Sequence, residues 1–142
     1  MNWLARREHS QFELREKLAA REIEPDVAAE AVARLVADGL VSDARFAESF
    51  IAAKMRRGQG PVRIRAELKR RGVGAELIEQ HLHDAELDWA RSAAEVRRKK
   101  FGAPVPADFP SRARQQRFLE YRGFTGEQIR AAMGSAATDD FD

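Results

Sequence analysis

The sequence predicts an all-α protein of three tandem three-helix repeats stacked into an elongated, curved rod. Three observations carry this expectation. Apolar residues recur at helical spacing through nearly the whole chain, and no stretch alternates as a half-buried strand would. Three segments beginning at Leu18, Leu68 and Leu119 (LAAREIEPDVAAEAV, LKRRGVGAELIEQHL and LEYRGFTGEQIRAAM) align without a gap at offsets of 50 and 51 residues. Helices this short cannot bury their apolar stripes alone, so neighbouring units must stack.

Within the alignment, arginine recurs at the fourth position (Arg21, Arg71, Arg122) and an apolar residue at the sixth (Ile23, Val73, Phe124). An acid recurs at the ninth (Asp26, Glu76, Glu127) and an apolar residue at the fifteenth (Val32, Leu82, Met133). SDARFAESFIAAKMRRG and LDWARSAAEVRRKKFG form a further pair, each a helix that leads into the next unit and ends in a basic cluster and glycine. The expected units are residues 1–41, 42–86 and 87–134, the last containing a proline-rich linker at 102–110, followed by a disordered tail at 135–142. The leading helix of the first unit is cut to MNWLARRE, so a longer natural N-terminus is expected.

Each element has its own signal. Ser10 and Glu13 have capping-box spacing ahead of Leu14 and Leu18. Pro25 and Asp26 open a second helix, with Ala28, Val32, Leu35 and Val36 on one side, that stops at Asp38-Gly39. Ser42 caps a third, with Phe46, Phe50 and Met55 as its buried stripe. Gly58 and Gly60 break the chain as a hinge, Pro61 starts a helix and Gly72 ends it. Helices follow at 75–85 and 88–100. Ser111 restarts the chain as a helix to Gly123, and Thr125 caps a last one reaching Met133.

Composition narrows the function. The chain has no cysteine, which excludes disulfides and thiolate chemistry and fits a reducing compartment. No apolar run approaches the roughly 18 to 20 residues of a membrane span, and MNWLARREHS has no signal-peptide core. A soluble, cytoplasmic monomer without membrane contact is expected. The formal net charge is only +2, yet residues 51–100 hold thirteen Lys/Arg against seven Asp/Glu, between two acidic ends. Such a basic middle suits an anionic partner.

The charge concentrates in KMRRGQGPVRIRAELKRRG, residues 54–72, with eight basic residues and one acid, Glu67. Lys54, Arg56 and Arg57 close one helix. On the next, Ile64 and Leu68 define the buried direction, Arg65 and Lys69 fall on one flank, and Arg63 and Arg70 on the other. Arg97, Arg98, Lys99 and Lys100 sit at the corresponding helix end of the third unit. These eleven are the candidate contacts to a protein partner or to DNA phosphates. The competing reading is that they only complement helix dipoles. The recurring Arg21, Arg71 and Arg122 read as structural, bonding terminal carbonyls over the core. Phe46 and Phe50 read as core, and Trp89 and Tyr121 carry no assignment.

Catalytic constellations do not emerge. His81 and His83 lie about 200° apart around a helix and cannot chelate one ion. Gly58-Gln59-Gly60 lacks the strand and GK[ST] of a phosphate-binding loop, and Glu13 with Lys17 reads as a helix-face ion pair. No enzyme, metal or cofactor is expected.

LARREHSQFELREKL, SDARFAESFIAAKMRRGQGPVRIRAELKRRGV, RRKKFG and RARQQRFLEYRGFTGEQIRAAM, spanning residues 4–133, resemble the RecX family of regulators of the RecA recombinase. ARFA, the basic helix end, GxGP, RI and EL in this order are the specific part. The resemblance implies a non-enzymatic modulator in DNA repair, recombination and the SOS response. It would bind RecA, preferentially as a nucleoprotein filament, and inhibit its recombinase, ATPase and co-protease activities, with weak non-specific DNA binding. The other reading is a helical-repeat module acting directly on duplex or single-stranded DNA, although no helix presents an evident base-reading set. One departure stands out: Glu22 occupies the place of Gly72 and Gly123, which argues against a left-handed turn there.

Overall fold

The computed structural model describes residues 3–134, so the tail expected to be disordered lies outside the described residues. Among these residues the regular structure is helical throughout. A 3-10 turn at Trp3–Ala5 precedes α1 (Gln11–Ala20), α2 (Pro25–Ala37), α3 (Asp43–Arg56) and α4 (Pro61–Arg70). Then come α5 (Ala75–Leu82), α6 (Trp89–Phe101), α7 (Phe109–Tyr121) and α8 (Gly126–Met133).

Local chemistry explains the boundaries. Ser10 and Thr125 each form a full capping box, with Glu13 and Gln128 as the reciprocal partners. Pro25 and Pro61 take first-turn positions, where a missing N–H costs nothing. α7 begins two residues before the expected Ser111, because Asp108 caps it by accepting the Ser111 amide and Pro110 fits within the first turn.

The described residues pack as two compact units, one of residues 3–52 and 66–83, the other of residues 53–65 and 84–134. In the first, α1 lies on α2, and Leu14, Val32 and Val41 form a core flanked by Trp3, Leu4, Leu18 and Leu35. In the second, α6 packs on α7 and α8, burying Trp89, Ala93, Leu119, Ile129 and Met133.

The repeated segments share the same turn near their start. The carbonyls of Leu18, Leu68 and Leu119 accept from the amides of Ile23, Val73 and Phe124 at 3.1, 3.1 and 3.2 Å. Each turn passes through a left-handed residue, with φ 63° at Glu22, 80° at Gly72 and 101° at Gly123. The expectation against a left-handed turn at Glu22 is therefore corrected: the 6→1 hydrogen bond and the burial of the flanking helices fix it despite the side chain. Leu68 and Leu119 are fully buried, and Leu18 partly so.

Within each unit such a turn receives the start of a helix. In the first, the Ser10 hydroxyl donates to the Arg71 carbonyl at 2.7 Å, and a side chain on Gly72 would collide with Phe12. In the second, the amides of Gly60 and Val62 donate to the carbonyls of Arg122 and Gly123 at 2.8 and 2.9 Å. A Cβ on Gly60 would strike the backbone of Gly123 and Phe124. The Gly-Gln-Gly segment is thus a docked, hydrogen-bonded turn and not a free hinge.

Glu13 is also not the surface partner of Lys17. It is 9 % exposed and accepts from both Arg7 guanidinium nitrogens at 3.0 and 3.2 Å, from the Ser10 amide at 3.1 Å, and from Arg71. Arg71 additionally lies 5.4 Å over the Phe50 ring.

Candidate functional site

Two of the basic clusters meet in the second unit. α3 ends at Arg56 and the turn after it begins with Arg57; there the amide of Gln59 bonds the Lys54 carbonyl at 3.1 Å and Gly58 adopts φ 84°. α6 ends in Lys99 and Lys100. Between these ends lies a cleft of about 610 Å³, lined by Arg56, Arg57, Lys99, Lys100 and Arg122, with Met55, Val96 and Phe118 as apolar walls. Gly58 is fitted to it: a Cβ there would come within 3.2 Å of both Val96 and the Arg122 guanidinium.

Arg122 binds the two sides together. Its guanidinium donates to the Arg57 carbonyl at 3.0 Å and lies 5.1 Å over Phe118, while the Lys100 ammonium lies 5.5 Å from the same ring. Phe101 meets Phe118 edge-on at 5.4 Å. The Phe118 wall of the cleft is therefore an aromatic ring occupied by two cations.

The one carboxylate in the lining, Glu95, sits 3.5 Å from Arg91. Among the described residues no carboxylate pairs with Arg56, Arg57 or Lys99. Helix dipoles offer part of their stabilisation, since both helices point carbonyl ends here. Five cations around one carboxylate still leave a positive field that an anion would neutralise. With carbonyls and not amides facing the site, recognition falls to side chains, and the arginine forks suit carboxylate or phosphate oxygens.

The other candidates separate. Arg97 is corrected: it is 4 % exposed, and its guanidinium donates to the carbonyls of Ala103 (2.9 Å) and Pro104 (3.4 Å) and to Gln115 (3.2 Å). It ties the proline-rich linker to α6 and α7 and is turned away from solvent. Arg98 is exposed outside the cleft lining. Arg63 lies 5.6 Å over the Tyr121 ring. Arg70 is exposed and 3.9 Å from Glu67, Lys69 is exposed, and Lys54 and Arg65 are half-buried. Arg122 and Phe118 were missed as lining residues. Their signal was the recurrence of arginine after each aligned leucine, which reads equally as a helix-end role. His81 is bonded within its helix to the Leu77 carbonyl at 3.0 Å, and His83 lies 3.4 Å from Glu79.

Comparison with known proteins decides the family. Models of the first, second and third three-helix domains of RecX match residues 1–35, 42–82 and 87–133. The chain belongs to the RecX family. A regulatory protein RecX from Halorhodospira halophila is 48 % identical over 137 residues, covering 96 % of this chain and 85 % of that one. One from Pseudomonas savastanoi is 43 % identical over 140 residues, covering 99 % and 90 %. The crystal structure of RecX from Lactobacillus salivarius shares the fold, with a TM-score of 0.79 at 19 % identity over 99 % of this chain and 92 % of that one. The RecX relatives carry the description of regulatory proteins, and this chain is read as a regulator of that family. Among its described residues no helix is long and apolar enough to cross a membrane.

Proposed function

We propose that this chain is a non-enzymatic, cytoplasmic regulator that binds RecA, preferentially as the filament RecA forms on DNA. Binding lowers ATP hydrolysis, strand exchange and co-protease activity, and so restrains recombination, repair and the SOS response. Membership of the RecX family supports the partner. The observation that carries the site is the convergence of the α3 and α6 basic ends on one cleft, with Arg56, Arg57 and Lys99 unpaired among the described residues.

Such a cleft suits the mixed surface of a nucleoprotein filament, where protein carboxylates and DNA phosphates lie together. To this cleft naked DNA offers only its phosphates, so binding there is weak, steeply salt-dependent and nearly indifferent to sequence. Within the second unit, Arg63, Arg65 and Arg98 add partner contacts from outside the cleft, and Lys69 and Arg70 offer contacts on the first unit.

Co-sedimentation of the chain with RecA, with and without single-stranded DNA and a non-hydrolysable nucleotide, tests the reading. The chain is expected to pellet with the filament and to remain largely in the supernatant with free RecA or DNA alone. Equal pelleting with DNA in the absence of RecA supports a direct DNA-binding module and rejects the RecA reading.

A further inference from the structure

Tyr121 leaves most of its ring in water, with 75 % of the residue exposed at the end of α7. The Arg63 guanidinium lies 5.6 Å from the ring centroid. Gly123 holds that arginine in place: the Arg63 stem packs so closely on the glycine backbone that a Cβ there would overlap the Arg63 Cβ and Cγ. Arg117 and Arg114, both exposed, precede Tyr121 by four and seven residues on α7 and so share its helix face. Among the described residues no carboxylate pairs with Arg63 or Arg117. An exposed aromatic ring set among arginines is thus built into the second unit, separate from the lining of the basic cleft.

We propose that Tyr121 with Arg63 is a stacking site for an unpaired base of single-stranded nucleic acid, with Arg114 and Arg117 contacting the adjoining phosphates. Each part of the platform answers one part of that ligand. A base has a flat apolar face that gains by covering an exposed ring, and this gain is indifferent to sequence. A guanidinium beside the ring adds a cation contact to the same base. The phosphates that follow each base demand the cations. A duplex keeps its bases stacked on one another and offers the ring nothing. An acidic peptide would use the arginines but leave the tyrosine idle. The site does not depend on the RecA reading, because it requires nucleic acid alone.

Fluorescence anisotropy with the full chain tests it, at about 50 mM salt where phosphate contacts are little screened. The probes are an oligothymidylate of about 12 nucleotides, an abasic deoxyribose-phosphate oligomer of the same length, and the corresponding duplex. The chain is expected to bind the oligothymidylate roughly 5- to 150-fold more tightly than the abasic oligomer, the range that one stacked base confers. Tyr121→Ala is expected to erase that difference without changing affinity for the abasic oligomer. Tyr121→Phe should preserve the preference, and Arg63→Ala should weaken binding to both. Equal affinity of the unaltered chain for the two single strands overturns the proposal whatever the variants do. So does an oligothymidylate affinity that survives Tyr121→Ala, or a preference for the duplex. A poly-glutamate of equal charge that binds as tightly, with the same loss on Tyr121→Ala, replaces nucleic acid by an acidic peptide and also overturns it.

Discussion

Two buried ionisable side chains at the start of α1 make the first unit sensitive to pH. Burial alone would push the Glu13 carboxyl up, but Arg7, the Ser10 amide and Arg71 together hold it below the ordinary value of 4.5. The unfolded chain therefore takes up that proton more readily. The stability the carboxylate confers is complete above 4.5 and is lost as pH falls through the lower folded value. His9 is 3 % exposed, and burial, followed by the nearby Arg7, holds its imidazole below 6.5. Its neutral ring likewise confers stability that is complete above 6.5 and declines as pH falls toward the folded value. Urea midpoints measured from pH 8 to 3 are expected to stay level above about 7 and to fall in two steps, below 6.5 and again below 4.5. Glu13→Gln should flatten the second step and His9→Asn the first; a profile that keeps both steps in both variants contradicts these assignments.

At the scale of the element, the recurring turn connects sequence to packing, and it is also where the sequence was hardest to interpret. Capping boxes and first-turn prolines were legible because each depends on neighbours within a few residues, and the gapless repeat because the same pattern recurs at a nearly constant offset. Glu22 was not, because left-handed backbone is inferred from glycine, and here the turn's hydrogen bonds and the helices on either side outweigh the side chain's preference. A non-glycine residue in that conformation costs about 1 to 2 kcal/mol, and glycine's own entropy returns part of any gain. Glu22→Gly is thus expected to raise unfolding stability by roughly 0.5 to 1 kcal/mol in denaturant titration. Gly72→Glu at the equivalent place is expected to destabilise by more than that, since its side chain would enter the space of Phe12. If Glu22→Gly lowers stability, the left-handed turn is not a source of strain. Arg97 misled for a related reason. A basic run at a helix end looks exposed, but the proline-rich linker returns its carbonyls to that side chain, and nothing in residues 97–100 signals the return.

Across the whole molecule, a net charge of +2 conceals a basic middle, and the fold gathers part of it, Arg56, Arg57, Lys99 and Lys100, around one cleft together with Arg122. The family and the helical class were visible in the sequence. The meeting of clusters more than forty residues apart was not, because it depends on how the last turn of α3 and the ends of α6 and α7 are placed in the second unit. The central proposal is that this cleft engages the RecA filament, and it is tested most directly by RecA ATP hydrolysis on single-stranded DNA, titrated with the chain. The quadruple variant Arg56→Glu, Arg57→Glu, Lys99→Glu, Lys100→Glu places like charges against the partner and is expected to need at least about tenfold more protein for the same inhibition, with helical content unchanged. Reversing exposed Glu16 and Glu30 to Lys is the control and should leave inhibition near that of the unaltered chain. A quadruple variant that inhibits at the concentration of the unaltered chain would contradict the proposal and reduce the two clusters to complements of their helix ends.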